Sequence, residues 1–204
     1  MRSFDERAAT WEDDATKTEQ TRGVGVQIER RVGLRPDWVV LEYGAGTGVL
    51  GRSIAARVGR VVLVDASAGM VAEARRRIAS EGLTNVEAMD AGVEPAPGFA
   101  CDLLIAAMML HHVDDVAALL RHFASYVRPG GWLAVADLDA DADHSFHDHE
   151  FAGHHGFDRD ALGALVAAAG FELVTVDTAY QITKRRDGIE RDYGVFLLTA
   201  RRGA

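Results

Sequence analysis

Cysteine is nearly absent: Cys101 is the only one in 204 residues, so no intrachain disulfide can form. That suits a reducing compartment. No apolar run approaches the ~20 residues that would span a bilayer, and Met1–Arg7 lacks the apolar core of a secretion signal. Basic residues are outnumbered, 22 against 31 acidic, for a net charge of −9, so a phosphate backbone would be repelled on average. The short basic runs Arg75-Arg76-Arg77 and Lys184-Arg185-Arg186 read as solvated surface. These absences lead to the expectation of a cytoplasmic protein that binds neither membrane nor nucleic acid. What is present is an ordinary globular composition, 48% hydrophobic and 26% charged. A chain of this size buries roughly 70% of its unfolded surface and needs no structural metal.

There is no internal repeat and no low-complexity linker. Val24, Ile28 and Val32 recur at intervals of four and predict a helix in the second half of residues 1–34. From there strands and helices alternate. Strands are expected at 38–42, 60–64, 85–89, 102–106 and 132–136. The intervening helices carry Leu50, Ile54 and Val58; Met70, Val71, Ala74 and Ile78 behind a Ser67 cap; and Val116, Leu119, Leu120, Phe123 and Val127 behind Asp114 or Asp115. Pro129-Gly130-Gly131 ends the last of these. Asp158 opens a further helix with Leu162, Leu165 and Val166. Residues 171–184 and 193–201 then read as two strands able to pair antiparallel. Repeated strand–helix units make a largely parallel sheet, whose ligands bind beyond the carboxyl ends of the strands.

The first strand runs into Glu42-Tyr43-Gly44-Ala45-Gly46-Thr47-Gly48. Glycines at alternate positions let a ligand approach the backbone, and a helix expected from about Thr47 would offer free N–H groups. Asp65 closes the second strand about twenty residues on, where a carboxylate can accept from a ribose diol. The pattern indicates an adenosine-containing cofactor. Gly46-Thr47-Gly48-Val49-Leu50-Gly51 also fits the dinucleotide pattern, so a nicotinamide-dependent oxidoreductase is an alternative, although one domain leaves little room for a second nucleotide half.

Val40 to Gly48 resembles the first motif of class I S-adenosylmethionine-dependent methyltransferases, Leu63 to Met70 their second, and Met89-Asp90-Ala91 their third. Cys101 to Asp115 resembles the fourth, and Arg128 to Gly131 the turn after it. The likeness is closest to small-molecule enzymes, including those acting on quinone precursors. It implies a doubly wound α/β fold with a mostly parallel seven-stranded sheet, the last strand antiparallel and helices on both faces. Residues 1–34 would form an N-terminal helical arm or lid and 35–204 the Rossmann-like domain. S-adenosyl-L-methionine would be the cofactor. Glu42, Gly44, Ala45, Gly46 and Gly48 would line its methionyl and ribose part, with Asp65 on the ribose. Ala66 and Met70 would border the adenine, Asp90 would accept from its amino group beside Ala91, and Ala106 and Met108 would flank the sulfonium. A non-catalytic S-adenosylmethionine-binding protein is a further alternative.

Methyl transfer needs a base only if the nucleophile must lose a proton. His111 and His112 follow the fourth strand, and His111 is the stronger candidate to orient the acceptor or take its proton. The stretch 137–150 is rich in Asp and His. Asp139, Asp141, Asp143 and Glu150 imitate a calcium loop, but His144 stands where glycine is required. The spacing of His144, His147, His149, His154 and His155 is not diagnostic of a transition metal, so no metal is expected. A substrate-side wall or lid suits a loop longer than ~12–15 residues, with His147 and His155 as its candidate catalytic residues. Trp11 either closes over the substrate or anchors the arm. Cys101 reads as a small core residue. A small-molecule acceptor is expected; oligomeric state is not legible.

Overall fold

The apolar runs become strands and the 3.6-residue stripes become helices. The computed structural model describes residues 3–91, 98–147, 151–186 and 188–203. The chain packs as two units, Met1–Ile105 and Ala106–Ala204, with the division falling inside the fourth strand.

In the first unit, helices α1 (Phe4–Arg7) and α2 (Ala15–Val32) precede β1 (Val39–Tyr43). Ser3 and Asp14 cap the two helices through their side-chain oxygens. Val24 and Ile28 are buried as expected, each 1% exposed. The helix α3 (Val49–Ile54), the strand β2 (Arg60–Asp65), the helix α4 (Ala68–Ser80), and the strands β3 (Val86–Asp90) and β4 (Cys101–Ala107) follow. These strands run parallel in the order β3-β2-β1-β4. Val40, Leu41, Val61, Val62, Leu103 and Leu104 are fully buried, as expected of parallel strands covered on both faces. The register pairs Tyr43 with Val64 and Asp65 with Asp90, so the ends of β1, β2 and β3 stand side by side. Ser67 caps α4 through a bond from the Met70 N–H, and Met70, Val71, Ala74 and Ile78 form its buried face.

Helix α3 differs from its expectation. It starts at Val49, after Gly48 at φ +80°, and gives way to a 3-10 turn at Ala55–Arg57. A left-handed Gly48 cannot continue the helix backward, and so short a helix supplies no anion site of its own. Thr47 therefore belongs to the turn. Gly48 lies so close to Leu63 that a β-carbon would collide with Cδ1 of that side chain.

In the second unit a 3-10 turn (Leu110–His112) leads to α5 (Val116–Tyr126), β5 (Val127–Leu138), α6 (Arg159–Ala168), β6 (Phe171–Arg186) and β7 (Ile189–Arg202). Asp115 and Asp158 cap α5 and α6. Strand β5 starts earlier than expected and includes Pro129-Gly130-Gly131; its pairing with β7 begins at Trp132. Strand order here is β5-β7-β6, with β7 antiparallel to both neighbours, as expected for the last strand. On α6, Leu162 and Val166 are buried but Leu165 is exposed, contrary to its expected core place. Cys101 is fully buried in β4, as expected.

The stretch after β5 is folded rather than slack. Asp139 bridges Phe157, the Asp141 N–H donates to His155 O, and the Asp141 carboxylate accepts from the N–H groups of Ser145 and Phe146. Asp139 is held by both guanidinium edges of Arg159, at 2.6 and 2.7 Å. Each carboxylate is thus employed in holding the chain. His149 and Glu150 lie outside the described residues.

Two stability predictions follow from the first unit. Arg52 is buried between Glu12, at 2.6 Å, and Glu81. Removing one member of a buried pair leaves an uncompensated charge. Glu12→Ala is expected to cost about 3 kcal/mol in urea unfolding; a loss below about 0.5 kcal/mol, the scale of an ordinary surface substitution, would mean the pair does not secure the arm. Glu42, 3% exposed in β1, has its carboxyl pushed up to about 8 by burial, against the pull of the Gly51 N–H and Arg52. The unfolded chain releases that proton near pH 4.5. Stability is therefore lost as pH rises through this window, on the order of 3 kcal/mol between pH 5 and 8. Glu42→Gln keeps the acceptor for Gly51 and should flatten the slope by that amount; parallel slopes in the two proteins would contradict it.

Candidate active site

The glycine turn is pinned to the end of β2. The N–H groups of Gly44 and Ala45 both donate to Val64 O, at 2.8 and 3.0 Å. The Gly46 N–H donates to Asp65 Oδ2 at 2.6 Å, and the Ser67 N–H to Oδ1 at 2.9 Å. Gly44, Gly46 and Gly48 all have positive φ, 69°, 57° and 80°, which explains why glycine occupies these positions. On the far side of Asp65, its backbone oxygen accepts the Ala91 N–H at 2.9 Å, beside Asp90 in register. Met70 Sδ and Trp11 Nε1 lie 4.0 and 3.7 Å from where a β-carbon on Gly46 would stand. Glu42, Gly44, Ala45, Gly46, Gly48, Asp65, Met70, Asp90 and Ala91 are thus gathered around the ends of three neighbouring strands. Ala66 is exposed next to them.

Two polar groups in this region have unused capacity. Thr47 Oγ1 is buried without a hydrogen-bond partner among the described residues. Glu42 Oε2 accepts the Gly51 N–H at 2.7 Å, while Oε1 accepts nothing from the described residues. A glycine-lined turn, a carboxylate fixed at its edge and spare polar atoms beneath fit an adenosine cofactor with a polar tail.

In the second unit, Met108 adopts φ +54°, an uncommon conformation for a non-glycine residue, and its N–H donates to Ala136 O at 2.8 Å. Such positions concentrate at functional sites. Ala106 is buried at 1% exposure. Three residues on, His111 is 3% exposed, with Nδ1 2.6 Å from Asp137 Oδ1. Asp137 is wholly buried and also accepts the N–H groups of Leu110 and Leu138, at 2.9 and 2.8 Å. Nδ1 of His111 thus faces an acceptor that already takes two backbone N–H groups, and a hydrogen on Nδ1 would leave the Nε2 lone pair free. Asp137 also raises the Tyr180 phenol, which burial has already pushed up, to about 12, so that hydroxyl keeps its proton.

His147 lies 5.0 Å from His111 between ring centroids and stacks on Phe151 at 3.8 Å. His155 stacks on His144 at 3.9 Å and stands 6.1 Å from His147. The Nδ1 atoms of His147 and His155 are buried and unpartnered among the described residues. Burial lowers the His147 pKa to about 4, so the ring is neutral at physiological pH. His112 is exposed. The three candidate histidines are thus neighbours, and among the described residues His111 alone of them meets a carboxylate. Asp137 was missed as a site residue in the sequence. Its signal was a single acid ending the apolar run Leu133–Ala136, a place where an acid needs a reason to be buried.

Residues 12–176 match the family described as methyltransferase domain. Over 117 residues the chain is 34% identical to the ubiquinone/menaquinone biosynthesis C-methyltransferase UbiE of Hydrogenovibrio crunogenus, covering 52% of this chain and 44% of the relative. The chain spans about half the length, or less, of the curated relatives it matches. Among solved structures, a methyltransferase-like protein of Bacillus halodurans superposes with TM-score 0.75 at 18% identity, covering 88% of this chain and 99% of that one. The DhpI complex with S-adenosylhomocysteine does so with TM-score 0.73 at 25% identity, covering 98% and 93%. These likenesses confirm the expected α/β methyltransferase fold. The chain belongs to the methyltransferase domain family.

Proposed function

We propose that this chain transfers a methyl group from S-adenosyl-L-methionine to a small-molecule acceptor, with His111 receiving the acceptor's proton. The observation that carries the cofactor half is the Asp65 carboxylate, fixed at the edge of the glycine turn by the Gly46 and Ser67 N–H groups. Its relatives' names and the S-adenosylhomocysteine bound to DhpI support the same reading. The family match removes the support for a nicotinamide cofactor.

When bound, the cofactor supplies a methyl group on a positively charged sulfur, ready for in-line displacement. The residues of the glycine turn and Asp65 would hold the ribose and the adjoining chain, and Asp90 with Ala91 would receive the adenine edge. His111, oriented by Asp137, would accept at Nε2 the proton that the acceptor gives up on taking the methyl group. His147 and His155, both partly buried, would wall the acceptor and exclude water. A base suits an acceptor that carries a proton, such as a hydroxyl. The net charge of −9 favours a small acceptor over nucleic acid. No helix among the described residues is long and apolar enough to cross a membrane, in keeping with the proposed cytoplasmic setting.

Calorimetry with S-adenosylhomocysteine tests the cofactor. Asp65→Ala should weaken binding at least tenfold, an effect that NADH should not reproduce; binding of NADH alone would sink the proposal. Once an acceptor is found by screening phenols and quinone precursors, His111→Ala should lower kcat by roughly 10²–10⁴ with S-adenosylhomocysteine affinity unchanged. Asp137→Asn should also lower kcat, because an amide can donate to Nδ1 and leave hydrogen on Nε2. An unchanged kcat in His111→Ala would show that the transfer needs no base at this position.

A further inference from the structure

Arg52, buried in α3 at 7% exposure, sends each edge of its guanidinium to a different part of the first unit. Its Nε donates to Thr47 O, in the glycine turn, at 3.2 Å. Nη2 donates to Glu12 Oε1 at 2.6 Å, and Nη1 donates to Glu81, which stands at the carboxyl end of α4. Glu12 belongs to the amino-terminal arm and follows Trp11, whose Nε1 lies 3.7 Å from where a β-carbon on Gly46 would stand. One buried cation therefore joins the turn, the arm and the end of α4.

The Thr47 carbonyl is a sensitive place for such a bond. Thr47 stands between two left-handed glycines, Gly46 at φ +57° and Gly48 at φ +80°. Rotating the Thr47–Gly48 peptide plane changes chiefly ψ of Thr47 and φ of Gly48, and glycine accepts either sign of φ. The plane is held by the Gly48 N–H, which donates to Ala45 O at 2.8 Å, and by Thr47 O, which accepts from Arg52. The first bond lies within the turn, whereas the second ties the turn to the arm through a single side chain. The choice of arginine matters here. A guanidinium directs its donors along fixed, coplanar directions, so the carbonyl and the two carboxylates it holds fix one another's places. An ammonium is a point charge, able to sit beside two glutamates but without a rigid third edge aimed at the turn.

We propose that Arg52 is a positioning residue that couples the arm to the cofactor turn, so that docking of Glu12 sets the Thr47 carbonyl and binding at the turn fastens the arm. The inference rests on the cofactor reading above. The coupling runs equally in both directions, as linkage between two binding events requires.

Chymotrypsin reads the state of the arm, since cleavage after the half-buried Trp11 needs the arm to leave its place. The product, a chain without residues 1–11, is followed by mass. In the unaltered protein, saturating S-adenosylhomocysteine should slow this cleavage at least about fivefold. In Arg52→Lys, which keeps a positive charge beside Glu12 and Glu81, the same ligand should change the rate by less than about twofold, and calorimetry should show binding weakened at least about fivefold. A residue that only stabilised the fold would speed cleavage alike with and without ligand, leaving the protection ratio intact. Glu12→Gln should also weaken S-adenosylhomocysteine binding, by at least about threefold, although the carboxylate it removes pairs with Arg52 and Arg77 rather than with the turn. Circular dichroism and the unfolding midpoint check that both variants are folded at the assay temperature, and Glu12→Gln decides the matter if Arg52→Lys is not. A protection ratio preserved in Arg52→Lys, or an unchanged affinity in Glu12→Gln, would overturn the coupling. An unaltered protein that binds no S-adenosylhomocysteine would instead overturn the cofactor reading, and the coupling with it.

Discussion

Parallel strands that end together leave their last backbone groups pointing the same way, and in the first unit one carboxylate organises them. Asp65 closes β2, and its two oxygens accept from opposite directions, Gly46 on one side and Ser67 on the other. The first bond holds a turn made of three left-handed glycines, a conformation that an unrestrained chain would leave readily because glycine loses the most freedom on ordering. The second places Ser67 to cap α4. Ser67 in turn donates to Asp5, which anchors the amino-terminal arm. Turn, helix and arm therefore hang in sequence from a single side chain.

The second unit applies the same economy to a histidine. Asp137 ends an apolar strand, and three donors surround it: two backbone N–H groups and one imidazole. The backbone bonds hold the carboxylate independently of the histidine, so the ring meets a fixed partner. The unusual backbone of Met108 helps explain the placement. A left-handed residue redirects the chain just after β4 and brings Leu110 and His111 onto Asp137. His144 and His155 stack on one another, and His147 stacks on Phe151.

The strands and most helices were legible because their signals are local. A buried parallel strand shows as an uninterrupted apolar run, and caps such as Ser67, Asp115 and Asp158 act on residues three positions away. The start of α3 was misplaced because Thr47 looks like a cap, whereas the positive φ of Gly48 depends on its packing against Leu63 of another strand. Leu165 was misassigned because a helical stripe gives a face but not its width. The pairing of His111 with Asp137 spans 26 residues, and that of Arg52 with Glu12 spans 40. No periodicity encodes such meetings, since they exist only once the sheet has formed.

Three acids at strand ends show how position sets chemistry. Asp65 is partly exposed and accepts two N–H bonds, so it can hold a ligand's hydroxyls. Asp137 is fully buried and accepts the Leu110 and Leu138 N–H groups, with Nδ1 of His111 2.6 Å away. Glu42 is almost as deeply buried and among the described residues accepts one N–H, that of Gly51, so burial prevails and its carboxyl holds a proton up to about pH 8. The residue types are nearly equivalent. What sets the three acids apart is the number of N–H groups the fold brings to each carboxyl, weighed against the water it removes. A sequence shows the acids, but the count of donors is a property of the packed sheet ends.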